Sequence, residues 1–222
     1  MRTRQSMRLL IAVAALVLGG AGCSNTPAGS PALSTPGNSA AASPAARTVV
    51  LWPAPPNPMA RAVEAGLKPG PKEYKINHVH AHLDVFLDGS PITVPAGIGI
   101  KIEDPAVRKV DEPDGSKSYG GIDLCNEPCI SPLHTHDVTG IIHTESSDAR
   151  PNTLGEFFIE WGVPLSESCV GQPCGPKVAV YVNGELVTGD PRAIELTDQK
   201  EIAIVIGTPP PEIPKTADFS NA

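Results

Sequence analysis

The apolar run at the head of this 222-residue chain, Leu9–Leu18, holds only ten residues, well short of the roughly 20 that a bilayer-spanning helix needs. Basic residues are in the minority. Without the leader's Arg2, Arg4 and Arg8, the chain has 14 Lys and Arg against 24 Asp and Glu, a balance that disfavours nucleic acid as a partner. Beyond the leader, methionine occurs once, at Met59, so soft ligation of Cu(I) lacks donors. Neither cysteine pair has the C-x2-C spacing usual in thiolate zinc sites. There is no G-x-S-x-G, P-loop, H-E-x-x-H or helix-opening G-x-G-x-x-G, which leaves nucleophilic, phosphate and nucleotide chemistry without a foothold.

What is present at the N-terminus reads as an export signal. Three arginines, the apolar run and the GAGC ending make residues 1–22 a signal peptide, and the ending resembles the lipobox of bacterial lipoproteins, in which the cysteine, here Cys23, is acylated. Gly20 stands where such motifs prefer leucine, so ordinary signal cleavage is the alternative. Residues 23–48 are nearly all Ala, Ser, Thr, Pro and Gly, too poor in apolar bulk to offset the entropy of ordering, and read as a tether. A single histidine-rich, β-rich domain is expected over 49–214, with 215–222 as a tail.

Four cysteines remain: Cys125, Cys129, Cys169 and Cys174. An even count in an exported domain argues for disulfides. Three pairings are open; the local ones are favoured because a Pro-containing turn separates each pair.

The pattern predicts an α+β fold: a mostly antiparallel or mixed sheet with one short packed helix, β-grasp-like with insertions, or alternatively a β-sandwich with one helix. Tyr74–Leu87 alternates as a strand, Asp88–Pro91 as a turn, and ITVPAGIGI as a return strand broken by Pro95. Lys101–Ser118 is charged and reads as an exposed excursion with little chemistry. VTGIIHTES predicts a strand with Ile141, His143 and Glu145 on one face. Thr153 and Glu156 form a capping box ahead of Leu154, Phe157, Phe158 and Trp161, one apolar helical stripe ended by Gly162 and Pro164. A strand, an Asn-Gly turn, a short strand and a final strand close the chain.

The histidines carry the functional signal. All six fall within 66 residues: His78, His80 and His82 in HVHAHLDVF, then His134, His136 and His143 in PLHTHDVTGIIHTES. On a strand, residues at i and i+2 share a face with Cα atoms about 6.5–7 Å apart, close enough for two imidazoles to converge on one ion. If the His143 strand lies beside HVHAH, its ring joins that face, with His134 or His136 arriving from the strand's mouth. Asp137 and Glu145 would add a ligand or accept hydrogen bonds that fix the tautomers. Burying several imidazoles without a cation would strand their lone pairs, whereas a solvated face tolerates them.

Zn2+ and Cu2+ suit an imidazole-rich site. Non-haem iron ranks third, through His134, His136 and Glu145. A cupin assignment fails, because those sites place Glu three or four residues after H-x-H, where this chain has Thr139 and Gly140.

LHTHD-x-TGIIH-x-E, with HVHAHLDVFLDG before it and NGELVTGDPRAIELTDQKEIAIVIGTPP after it, resembles a group of exported bacterial lipoproteins of unassigned function. The resemblance implies a histidine site at His134, His136 and His143 and no particular activity. Three expectations follow: a lipid-anchored extracytoplasmic domain that holds a transition metal, a metal-dependent hydrolase or oxygenase using the same site, or a metal-free interaction module at the cell surface. Expected partners are a metal ion and the membrane, without nucleic acid.

Overall fold

The computed structural model describes residues 51–220 except 123, 173 and 176. The leader, Cys23, the tether and residues 221–222 lie outside the described residues.

A short helix α1 (Pro58–Glu64) leads into the long strand β1 (Asn77–Leu87) and its hairpin partner β2 (Ser90–Ile92). A two-stranded excursion, β3 (Arg108–Asp111) and β4 (Lys117–Gly120), precedes β5 (Leu133–His134) and β6 (Ile141–Ser146). Helix α2 (Leu154–Trp161) follows, then the small hairpin β7 (Leu165–Ser166) and β8 (Cys169–Val170). Finally come β9 (Val178–Val182), β10 (Glu185–Val187) and β11 (Lys200–Ile206).

The main sheet runs β10-β9-β11-β1-β6-β5, and β2 pairs the far half of β1. β1 and β11 are parallel at its centre, while every other pairing in the sheet is antiparallel. First and last long strands paired in parallel, with hairpins on either side and a helix between, is the expected α+β, β-grasp-like arrangement. The alternative of a two-sheet sandwich is not what forms. Helices cover one face of a single sheet.

The alternation of β1 decides which face that is. Ala81, Leu83 and Val85 point the same way as Ile142 of β6 and Ile202, Ile204 and Ile206 of β11, and pack on Leu154, Phe157, Phe158 and Trp161 of α2. Fully burying each large apolar side chain contributes about 1.5–3 kcal/mol. The capping box forms as expected: Thr153 Oγ1 accepts from the Glu156 N–H at 3.3 Å, and Glu156 Oε2 accepts from the Thr153 N–H at 2.9 Å. Gly162 ends the helix in a left-handed conformation. Asp88-Gly89 and Asn183-Gly184 both have positive φ at both residues, the turn that suits tight hairpins.

Three elements differ from the expectation. The return strand is only Ser90–Ile92; after Pro95 the chain loops, because Gly97 and Gly99 take φ of 83° and 71°, which an extended strand does not accommodate. That loop buttresses β5: Gly97 N–H donates to Thr135 O and Ser131 N–H donates to Gly99 O, each at 2.8 Å. Helix α1 is additional to the one expected; Pro58 at its first turn pre-sets φ, and Ala62 buries its inner face. The charged excursion contributes Val107 to a second small core with Ile100, Ile122, Cys125, Cys129 and Ile130.

The cysteines pair locally, Cys125 with Cys129 and Cys169 with Cys174, at Cα separations of 6.2 and 4.8 Å. Among the described residues no helix is long and apolar enough to cross a membrane.

Gly140 fixes the turn that returns the HTHD segment into β6. Its φ is +89°, and a Cβ there would lie 2.7 Å from the Leu83 carbonyl oxygen and 3.0 Å from His82 Nε2. Gly140→Ala is expected to destabilise the fold by about 1–3 kcal/mol, the usual cost of a strained backbone position, which urea unfolding would measure.

Candidate metal centre

Strand register sets the histidine face. His80 of β1 lies opposite His143 of β6, and His143 lies opposite His134 of β5, so one cross-strand row carries three imidazoles. His136 follows two residues after His134, and its ring centroid is 4.4 Å from that of His143. His78 stands beside His80, with ring centroids 4.8 Å apart. Five of the six histidines therefore meet on the sheet face opposite α2: His78, His80, His136 and His143 line a cleft of about 460 Å3, and His134 is fully buried beside them.

The sixth does not join them. His82 Nδ1–H donates to Glu201 Oε2 at 2.8 Å and Nε2–H to the Thr139 carbonyl at 2.7 Å, so both ring nitrogens are spent. Burial alone would lower its pKa, but the hydrogen bond and charge of Glu201, helped by Asp84, raise it above the ordinary value. His82 ties β1 to β11 and to the turn before Gly140. Both its nitrogens are engaged in hydrogen bonds, although His82, Asp84 and Glu201 also bring donor atoms within 4.8 Å of one another.

The tautomers of the central pair follow from their partners. A carbonyl oxygen only accepts, so His134 Nδ1 carries a hydrogen for Ser131 O at 3.0 Å, and His136 Nδ1 carries one for Tyr119 O. In the neutral rings, both Nε2 atoms then present lone pairs, and these face each other at 3.2 Å. Two bare acceptors at that distance repel. Two nitrogens bound to one ion at about 2.0–2.1 Å in tetrahedral geometry would be about 3.3 Å apart, so the observed separation is that of a coordination edge. A single shared proton would also relieve the pair, but His143 Nδ1 and His80 Nε2 are buried as well, with no hydrogen-bond partner among the described residues.

One ring nitrogen each from His134, His136 and His143 and one oxygen of Glu145 lie within 4.8 Å of one another. That limit exceeds a tetrahedral edge by about 1.5 Å at most, a gap that side-chain rotation can close. A second group, His78, His80 and the same Glu145, meets the same limit. Glu145 Oε1 is 3.4 Å from His78 Nε2 and 3.9 Å from His143 Nδ1, while Oε2 is buried and unpartnered.

Electrostatics keep these groups ready to bind a cation. Burial, then the neighbouring histidines, hold His134 well below its ordinary pKa and push His143 down to about 2. His80 is lowered for the same reasons. Burial and the Glu73 carboxylate raise Glu145 to about 7. These shifts favour the neutral form of His80, His134 and His143, the form that ligates.

Asp137 takes a different part from the one expected of it. Its Oδ1 accepts from the Thr139 N–H and hydroxyl, shaping the turn, and it only borders the cleft. The groups that orient the rings are the Ser131 and Tyr119 carbonyls, which no side-chain pattern announces. The excursion Lys101–Ser118, expected to carry little chemistry, places Arg108 and Glu112 on the cleft wall, and Tyr119 follows directly after it. Glu160 of α2 was also not foreseen: it occupies an apolar helical stripe, is 0 % exposed, and neither oxygen has a well-formed hydrogen bond. Burial outweighs the pull of the nearby Ser131 hydroxyl and holds it well above the carboxylate range.

Similarity does not add to this geometry. No family model, no curated protein and no solved structure matches the chain.

Proposed function

We propose that this protein is an extracytoplasmic, lipid-anchored domain that holds Zn2+ or Cu2+ through His134, His136 and His143, with Glu145 beside them, for delivery, storage or sensing. The observation that carries the reading is the pair of Nε2 atoms facing each other at 3.2 Å, each ring with its Nδ1 against a backbone carbonyl. Rings oriented by carbonyls and a closely spaced set of donors make a preorganised cation site. Iron ranks below zinc and copper because three imidazoles outnumber the single carboxylate. The leader, the GAGC ending at Cys23 and two disulfides support export and anchoring, as does the likeness to exported lipoproteins of unassigned function.

Metal analysis of the purified protein, with His134→Ala and His143→Ala alongside, tests the site. Stoichiometric Zn2+ or Cu2+ is expected in the wild type. Each substitution is expected to weaken binding by about 3 kcal/mol, roughly two orders of magnitude, taking one ligand as a quarter of about 10–16 kcal/mol. Metal that survives both substitutions would refute the assignment.

A second reading, a metal-dependent hydrolase or oxygenase, is favoured by the cleft itself: its volume is about 460 Å3, it opens to solvent, and His136, His143 and Glu145 line it together with Arg108 and Lys75. A site for storage alone has no need of a substrate-sized opening. Turnover of a small anionic ester by the metal-loaded protein, lost on metal removal, would favour this reading.

A further inference from the structure

The single-centre reading leaves His78 and His80 without a role, although they share the cleft floor. His80 Nε2 is buried with no hydrogen-bond partner among the described residues, and its ring centroid is 4.6 Å from that of His143. His78 Nε2 faces Glu145 Oε1 at 3.4 Å. Glu145 belongs equally to both groups of potential ligands, and its second oxygen, Oε2, is buried and unpartnered.

A carboxylate has two oxygens and is the usual bridge where two divalent ions lie about 3.5–4 Å apart. Five imidazoles around one carboxylate are more donors than a single four-coordinate ion takes. Four carboxylates, Glu73, Glu112, Asp137 and Glu145, face the cleft against two cations, Lys75 and Arg108, so the wall favours added positive charge.

We propose that the cleft is a dinuclear centre: His134, His136 and His143 hold one divalent transition-metal ion, His78 and His80 hold a second, and Glu145 bridges them. The proposal rests on the metal-binding reading above and extends it. The His82, Asp84 and Glu201 group does not compete for the second ion, since both His82 nitrogens are engaged.

Equilibrium dialysis of the metal-free full-length protein against Zn2+, followed by elemental analysis, counts the ions. Two per chain are expected in the wild type and one in a His78→Ala/His80→Ala double variant. With Cu2+ the wild type at two equivalents should show a spin-coupled pair by electron paramagnetic resonance, and the double variant an ordinary single-copper signal. One ion in the wild type, unchanged in the double variant, overturns the dinuclear centre and leaves the single site standing. No ion in the wild type overturns both readings. Two ions retained by the double variant place the second elsewhere and also overturn the proposal. If the alanine pair does not fold by circular dichroism, His78→Gln/His80→Gln takes its place with the same expected counts.

Discussion

His82→Ala is expected to destabilise the protein by about 3–5 kcal/mol, because it strands a buried carboxylate. Glu201 is 0 % exposed, and apart from His82 its side chain has little to offset its burial; Oε1 is already without a partner. Removing the imidazole also releases the Thr139 carbonyl, and with it the turn that carries the chain from His136 to His143. Replacing both members of the pair by apolar residues of similar volume, His82→Leu with Glu201→Met, should recover most of the loss, since the larger penalty comes from the unpaired charge. Urea unfolding of the three variants would show it. The sign of the pH dependence follows from the raised pKa of His82. Its proton stabilises the fold fully below the ordinary value of about 6.5, and this contribution is lost as pH rises through the higher folded value. NMR titration should place the His82 midpoint above about 6.5 and Glu201→Gln should bring it down. A wild-type midpoint at or below the ordinary value would refute the ion pair.

Glu160→Met is expected to stabilise the protein at neutral pH by about 1–3 kcal/mol, the usual cost of a buried polar group without a well-formed hydrogen bond. The carboxyl is enclosed between α2 and the Gly99 loop, and burial holds it well above its ordinary value. A carboxyl so raised contributes stability that is fully present below about pH 4.3 and is lost at about 1.4 kcal/mol per pH unit as pH rises toward the folded value. Methionine has similar volume and no charge to suppress, so it removes that penalty with little repacking. The gain should therefore shrink toward zero near pH 4. Unfolding midpoints of wild type and variant at pH 4 and pH 7 measure both, and a gain equal at the two pH values would show that Glu160 does not titrate in this way. Retention of a buried acid beside the segment that carries His134 fits a site where stability has been conceded for local polarity.

The local elements were legible because local rules govern them. Alternation named β1 and assigned Ala81, Leu83 and Val85 to the core face; the Thr153–Glu156 capping box and the apolar stripe named α2; Asn183-Gly184 named its hairpin. That His143 joins the histidine face of β1 was likewise foreseeable once β6 was set beside β1, while its place opposite His80 is set by the register. Helix α1 escaped because seven residues carry little periodicity, and the 93–100 loop because its glycines were read as part of a strand rather than as positions of positive φ.

What the chain order could not reveal is which donors each histidine meets. His82 shares the alternation of His78 and His80, yet the parallel pairing of β1 with β11 sets it opposite Glu201, 119 residues away. His134 and His136 owe their tautomers to backbone carbonyls at Ser131 and Tyr119, groups that every residue possesses. The sequence by itself determined the strand faces, the capped helix and the supply of imidazoles, since these depend on neighbours a few residues apart, and it favoured the local cysteine pairs that the structure forms. Only the tertiary structure decided that five histidines gather around Glu145 while the sixth pairs with Glu201, because register between distant strands is fixed by burying the whole apolar face at once.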